Sequence, residues 1–215
     1  MTAPMAVYGA ALRRAASGRP AQLGLMGADG ARLGWVDPSL WSGGLRPGDR
    51  ALLDRCCGTT LDVGCGPGRL AAALTQAGQV TLGVDVSAEA IRQARRRGVE
   101  AVRASVFEPL PREGAWCTIL LADGNIGIGG DPRKLLSRCA SLLHSRGIVV
   151  AEVQPPGGES WCTDVVLCDD DRASAAFPWA VIAAHDVSEL ARESAFQLLN
   201  LWTEAGRWFA RMTAA

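Results

Sequence analysis

The chain has 215 residues, 48% hydrophobic and 20% charged, with 22 basic and 22 acidic side chains that cancel. This is the make-up of a globular domain with a substantial core, and it excludes the disordered, collagenous and membrane-spanning classes. With no net charge there is no global field to recruit a polyanion, which argues against nucleic acid and acidic membrane surfaces as partners.

The first fifty residues are the least regular. Met1 to Pro20 lacks a basic segment ahead of an apolar one, and no run of about 18 apolar residues occurs anywhere, so a cytoplasmic protein is expected. A short helix is expected around Ala10 to Ala16, then a hairpin turning at Asp29-Gly30, then a Gly/Pro-rich link. Residues 1–50 therefore read as a flap, and residues 51–215 as the main domain.

From Thr59 onward apolar runs alternate with helical patterns, the signature of β-α-β units around a parallel sheet. Thr60 to Gly64 reads as a first strand, followed by a helix over Arg69 to Gln76. Val80 to Asp85 is a second strand. Ser87 then sits at an N-cap, with Glu89 in the first turn, and the helix runs to about Arg97 before Gly98. Val99 to Ala104 is a third strand, and a Pro-containing loop (Pro109, Pro111) leads past Trp116 to a fourth at Cys117 to Ala122. Asp123 to Gly130 is glycine-rich and reads as an open loop. Asp131-Pro132 opens a helix whose apolar face is Leu135, Leu136, Cys139, Leu142 and Leu143. Gly147 is expected to close it, ahead of a fifth strand at Ile148 to Val153 that is apolar on both faces.

After Pro155-Pro156-Gly157-Gly158 the pattern changes to isolated strands and one helix, opened by Asp186 with Glu189 in a capping-box relation. Phe196 to Thr203 and Arg207 to Met212 flank Glu204-Ala205-Gly206, an antiparallel hairpin. The seven cysteines have no C-x-x-C spacing and read as reduced core residues, and no metal site is expected. An arginine-heavy basic set, in which Lys134 is the only lysine, fits a GC-rich bacterial coding sequence.

The chemistry concentrates in Leu61-Asp62-Val63-Gly64-Cys65-Gly66-Pro67-Gly68-Arg69-Leu70, at a strand end and helix start. Glycines at 64, 66 and 68 let main chain approach a ligand lying across the strand tips. The spacing is G-x-G-x-G, with Arg69 where a dinucleotide fingerprint would carry glycine, which disfavours NAD or FAD. Asp85 stands 21 residues after Gly64 at the next strand end, where a carboxylate can accept from both ribose hydroxyls of an adenosine cofactor.

With LDVGCGPGRL, GVDVS, SVFEPLP and LLADGNIGIGGDP in that order, the chain from about Leu61 to Val153 resembles the class I S-adenosylmethionine (SAM) dependent methyltransferases. The resemblance implies a Rossmann-like three-layer α/β sandwich with a mostly parallel seven-stranded sheet and an antiparallel last strand, SAM as cofactor, and methyl transfer. It implies Asp62, Gly64, Cys65, Gly66 and Gly68 at the methionine end of the cofactor, Asp85 at the ribose, and Val86 as a wall for adenine. Ser105 and Val106 fall beside the adenine amine, where the family often has an acidic residue; a serine contact there is neutral and weaker. Ala122 and Asp123 fall next to the sulfonium.

Asp123 has two readings. It orients the acceptor, takes its proton or touches the cofactor's amine, or it is a loop carboxylate bonded to nearby amides. His144 and His185 sit at a helix end and before a helix cap, poor places for a general base. Trp35, Trp41, Trp161 and Trp179 lie in the irregular regions, either as an aromatic lid or as core packing. Arg95-Arg96-Arg97 closes a helix, where cations favour the negative end. The leading expectation is methyl transfer to an O, N or C centre of a small molecule, with bacterial secondary metabolism as its setting. The alternatives are a SAM-dependent cyclase or SAM-binding regulatory module, and then an NAD(P)-linked oxidoreductase.

Overall fold

The computed structural model describes residues 2–214. The chain opens with α1 (Pro4–Ala16), a hairpin of β1 (Leu23–Gly27) and β2 (Arg32–Val36), and the short helices α2 (Ser39–Ser42) and α3 (Asp49–Leu53). There follow β3 (Thr60–Val63), α4 (Arg69–Gln76), β4 (Thr81–Asp85), α5 (Ala88–Arg96), β5 (Glu100–Arg103), β6 (Trp116–Leu121), α6 (Pro132–Leu142) and β7 (Leu143–Val153). The last part carries β8 (Trp161–Cys168), β9 (Phe177–Val181), α7 (Val187–Glu193), β10 (Phe196–Glu204) and β11 (Arg207–Ala214).

A seven-stranded sheet runs in the order β10-β11-β7-β6-β3-β4-β5. The strands from β7 to β5 are parallel, and β11 enters antiparallel between β7 and β10. This is the three-layer α/β arrangement expected from the sequence. Period-two alternation supplies both helical layers: Leu61, Val63, Ile119, Leu121, Val149 and Ala151 pack with α6 and α7 in one cluster. Leu120, Ala122, Ile148 and Val150 face the other way, with Leu52 of α3 and Leu70 and Leu74 of α4.

Several local signals act as their chemistry predicts. The Ser87 hydroxyl accepts from the Ala90 amide at 3.3 Å, and Asp131 accepts from the Lys134 amide at 3.0 Å. Pro4 occupies the first turn of α1, so that helix begins six residues before Ala10; proline there loses no hydrogen bond the helix would have made. Ala205 and Gly206, both at positive φ, turn the β10–β11 hairpin as a two-residue loop.

Three local expectations are corrected. Asp123 to Gly130 is not wholly open, because a 3-10 turn forms at Asn125–Gly127. Gly147 does not close α6; the helix ends at Leu142, and Gly147 lies inside β7 at an irregular register with β6. A Cβ at Gly147 would lie 2.9 Å from the Trp116 carbonyl, so the glycine serves strand-to-strand approach. Asp186 forms no capping box: its carboxylate accepts from the Ser160 hydroxyl at 2.5 Å instead.

A second, antiparallel sheet of four strands, β2-β1-β8-β9, joins the N-terminal hairpin to strands about 140 residues later in the chain. Val7 and Ala11 of α1 pack on it with Leu23 and Leu167. It contacts the parallel domain through an isolated bridge between Ile128 and Trp179, at the glycine-rich loop after β6.

Candidate functional site

Open parallel sheets leave a crevice beyond the carboxyl ends of their strands. Here that crevice is a cavity of about 640 Å³, within the range of small-molecule sites. Asp62, Gly64, Cys65, Gly66, Asp85, Val86, Ser105, Val106, Ala122 and Asp123 all line it. Gly68 does not. A Cβ at Gly68 would stand 2.8 Å from the Ala94 side chain, so this glycine lets α4 pack against α5.

The glycine turn and the Asp85 carboxylate are in direct contact. The Gly66 amide donates to Asp85 Oδ2 at 2.9 Å, and the Ser87 amide donates to Oδ1 at 2.7 Å. Each oxygen keeps a further lone pair for a ligand hydroxyl. Burial raises the Asp85 pKa against the pull of those two amides. Gly66 sits at φ 54°, and a Cβ there would meet only the Tyr8 hydroxyl, at 3.5 Å. Main chain is therefore bare toward the cavity at this point, and an adenosyl group fits the strand-tip cradle.

Asn125 joins the two motif loops. Its Nδ2 donates to the Val63 and Gly64 carbonyls at 2.9 Å each, and a Cβ on Gly64 would overlap it. Exposed Val86 lines the cavity past Asp85, and the Ser105 hydroxyl accepts from the Phe107 amide at 3.2 Å. Asp62 is buried beneath the turn; desolvation first, and then the charge of Asp123, push its pKa up to about 7. Burial, with the charges of Asp62 and Asp85, also pushes the Cys65 thiol well above its ordinary value.

Asp123 is held within a network of charges. It receives Arg46 Nη1 at 3.2 Å, Arg69 Nη2 at 2.6 Å and Arg207 Nη2 at 3.5 Å. Its amide donates to Glu152, whose carboxylate takes Arg207 in a fork at 2.9 and 2.7 Å. Asp49, fully buried, pairs with Arg69 and receives Arg207 Nη1 at 2.7 Å. Burial would raise the Asp49 pKa, but the bonds from Arg69, the Arg46 amide and Arg207 outweigh it and hold the carboxyl low. Burial raises Asp123, which Arg69 opposes and Glu152 assists. Asp123 also adopts φ 52°, left-handed for a residue with a Cβ. This geometry favours a structural clamp over a free base.

Tyr8, Arg46 and Glu152 line the cavity but carry no motif signal in the sequence, and Arg69 and Asn125 line it from inside the quoted motifs without having been assigned a place at the site. Of the four tryptophans expected in the irregular regions, Trp35, Trp41 and Trp179 line it and Trp161 does not. His144 and His185 lie outside it. Among the described residues no cluster of His, Cys, Asp and Glu has the arrangement of a metal site. No helix there is long and apolar enough to cross a membrane.

Residues 60–147 match the family model described as methyltransferase domain. A ubiquinone biosynthesis O-methyltransferase from Salmonella paratyphi A is 28% identical over 112 residues, covering 49% of this chain and 46% of the relative. The chain thus aligns with about half the length of that curated relative. Among solved structures, a SAM-dependent methyltransferase from Bacteroides fragilis in complex with S-adenosyl-L-homocysteine (SAH) superposes with TM-score 0.77 at 21% identity. That match covers 99% of this chain and 94% of the other. A 1,6-didemethyltoxoflavin N1-methyltransferase from Burkholderia thailandensis superposes with TM-score 0.57 at 22% identity, over 78% and 77% of the two chains.

Proposed function

We infer that this chain, whose residues 60–147 match a methyltransferase domain, is a class I SAM-dependent methyltransferase whose cavity binds SAM and delivers its methyl group to a small molecule. One observation carries this reading: the bare Gly66 main chain and the Asp85 carboxylate meet at 2.9 Å over a cavity large enough for the cofactor and a second ligand. Asp85 would hold the ribose, Gly64 to Gly66 the main-chain face of the cofactor, and Val86, Ser105 and Val106 the adenine. Arg46 has one carboxylate partner and a side chain 29% exposed, and so it is the cation placed to meet the cofactor's carboxylate. Asp62, Ala122 and Asp123 complete the wall at the methionine end.

SAM, when bound, supplies a methyl group already activated by its sulfonium. The protein's task is then to place an acceptor in line and exclude water, and positioning alone supplies up to about 7–11 kcal/mol in well-oriented systems. The clamped state of Asp123 fits that division of labour. We further propose that the four-stranded sheet acts as the cover of the site, and that the acceptor is a diffusible small molecule in a bacterial cytoplasm.

Calorimetric titration with SAM, SAH and NADH tests the reading. Saturable heats with SAM and SAH and none with NADH are expected; NADH binding without SAM binding would reverse the assignment. Formation of SAH together with a methylated product, and no methylthioadenosine, separates methyl transfer from cyclase chemistry and from a non-catalytic module.

A further inference from the structure

We propose that the acceptor bound beneath the four-stranded sheet is an uncharged, planar aromatic compound. The inference rests on the cofactor reading above and concerns the part of the cavity that the cofactor motifs do not line.

Away from the glycine turn the cavity is lined by Phe177 and Trp179 of β9, while Tyr8 of α1 reaches the turn itself, its hydroxyl 3.5 Å from where a Gly66 Cβ would lie, with Trp41 of α2 beside it. Tyr8 and Trp41 meet edge-on, with centroids 6.1 Å apart and planes at 65°. Phe177 and Trp179 do the same at 6.4 Å and 78°. Edge-on pairs fix ring tilt without using up the flat faces in mutual stacking. Glycine seats β9 at this place. A Cβ at Gly127 would lie 1.8 Å from the Ala180 carbonyl oxygen, and one at Gly130 would lie 2.7 Å from Pro178. The glycine-rich loop after β6 thus lets β9 close directly onto the strand tips and brings its two rings over them.

The charges in the cavity exclude ionic acceptors. Among the described residues, Arg46 and Arg69 are the cations that line it. Arg69 has a side chain only 3% exposed, with both terminal nitrogens on carboxylates, and Arg46 is assigned to the cofactor. Asp37, Asp85, Asp123 and Glu152 line the same space. An anionic acceptor would lose its water among carboxylates with no spare cation to receive it. A cationic acceptor would face the positive sulfonium. Among the described residues, the Tyr8 hydroxyl and the Gln154 amide line the cavity with no side-chain hydrogen bond to the protein, and both are neutral. They offer a polar substituent on a flat ring its partners without a charge.

Titration of SAH-loaded protein with quinoline and with quinoline-4-carboxylate, for wild type, Trp179→Leu and Phe177→Leu, tests the proposal. Quinoline is expected to bind saturably and the carboxylate about tenfold more weakly or worse. Each variant is expected to lose about tenfold in quinoline affinity while holding SAH within about twofold, since neither ring lies in the cofactor motifs. Equal or tighter binding of the carboxylate overturns the proposal. So does a SAH-loaded protein that takes up no quinoline, or variants that bind it as wild type does. A folded protein that binds no SAH refutes the cofactor reading instead, and quinoline titrated without SAH still reads the aromatic wall.

Discussion

Asp85 is bonded through each oxygen to a main-chain amide, at 2.9 and 2.7 Å, and still faces the cavity. Those amides fix the carboxylate before a ligand arrives, so little ordering is left for binding to pay. Asp85→Ala is expected to weaken SAH binding by roughly 1–3 kcal/mol, the cost of removing a charged hydrogen-bond partner. Calorimetry on variant protein shown folded by circular dichroism checks this, and an unchanged dissociation constant would remove Asp85 from the site. Asp62 makes a pH-dependent prediction. Its pKa is about 7 in the folded chain, from burial and then the Asp123 charge, against about 3.9 for an unfolded aspartate. Between those values the folded state holds a proton that the unfolded state has released, so stability falls as pH rises through that window. Relative to wild type, Asp62→Asn should therefore gain stability between about pH 5 and about pH 8, read from urea denaturation at both ends. A difference that stays constant with pH would contradict the assignment. Residues of this kind were legible because glycines and a carboxylate at strand ends have few other uses. Tyr8, Arg46 and Arg207 were not, since Arg46 meets Asp123 across 77 positions and Arg207 meets Asp49 across 158.

Elements with their own start signals were read well from sequence. α5 and α6 begin where Ser87 and Asp131 cap them, and β3 and β4 lie where apolar runs meet glycine or aspartate. Signals with a second use were misread. Gly147 looked like a helix stop but is small because Trp116 main chain passes beside it, and Asp186 found Ser160 before it could cap α7. The glycines of the loop after β6 looked like an open loop, whereas Gly127 is a contact point with β9. Gly127→Ala would push a Cβ into the Ala180 carbonyl, and overpacking of this kind costs typically about 1–3 kcal/mol. Gly43→Ala, whose Cβ would have no neighbour nearer than 3.8 Å, is the control. It should stay within about 0.5 kcal/mol of wild type, as surface substitutions do. Chemical denaturation of both proteins decides this, and equal stabilities would mean that the loop does not carry β9.

At the scale of the molecule, the parallel sheet follows from local alternation of strand and helix, but the four-stranded sheet does not. Pairing Gly24 with Cys168 joins strands whose sequence patterns carry no mark of each other. The flap expected from residues 1–50 therefore shares one sheet with β8 and β9. That sheet and the strand tips enclose the cavity together, with glycine main chain and Asp85 on one side and aromatic rings on the other. On the proposed reading, the tips of β3 and β4 jointly grip an adenosyl group. A crystal structure of the SAH complex tests it most directly. Ribose hydroxyls on the Asp85 carboxylate and the rest of the ligand along Gly64 to Gly66 are expected. An SAH molecule bound elsewhere, with these tips vacant, would contradict it.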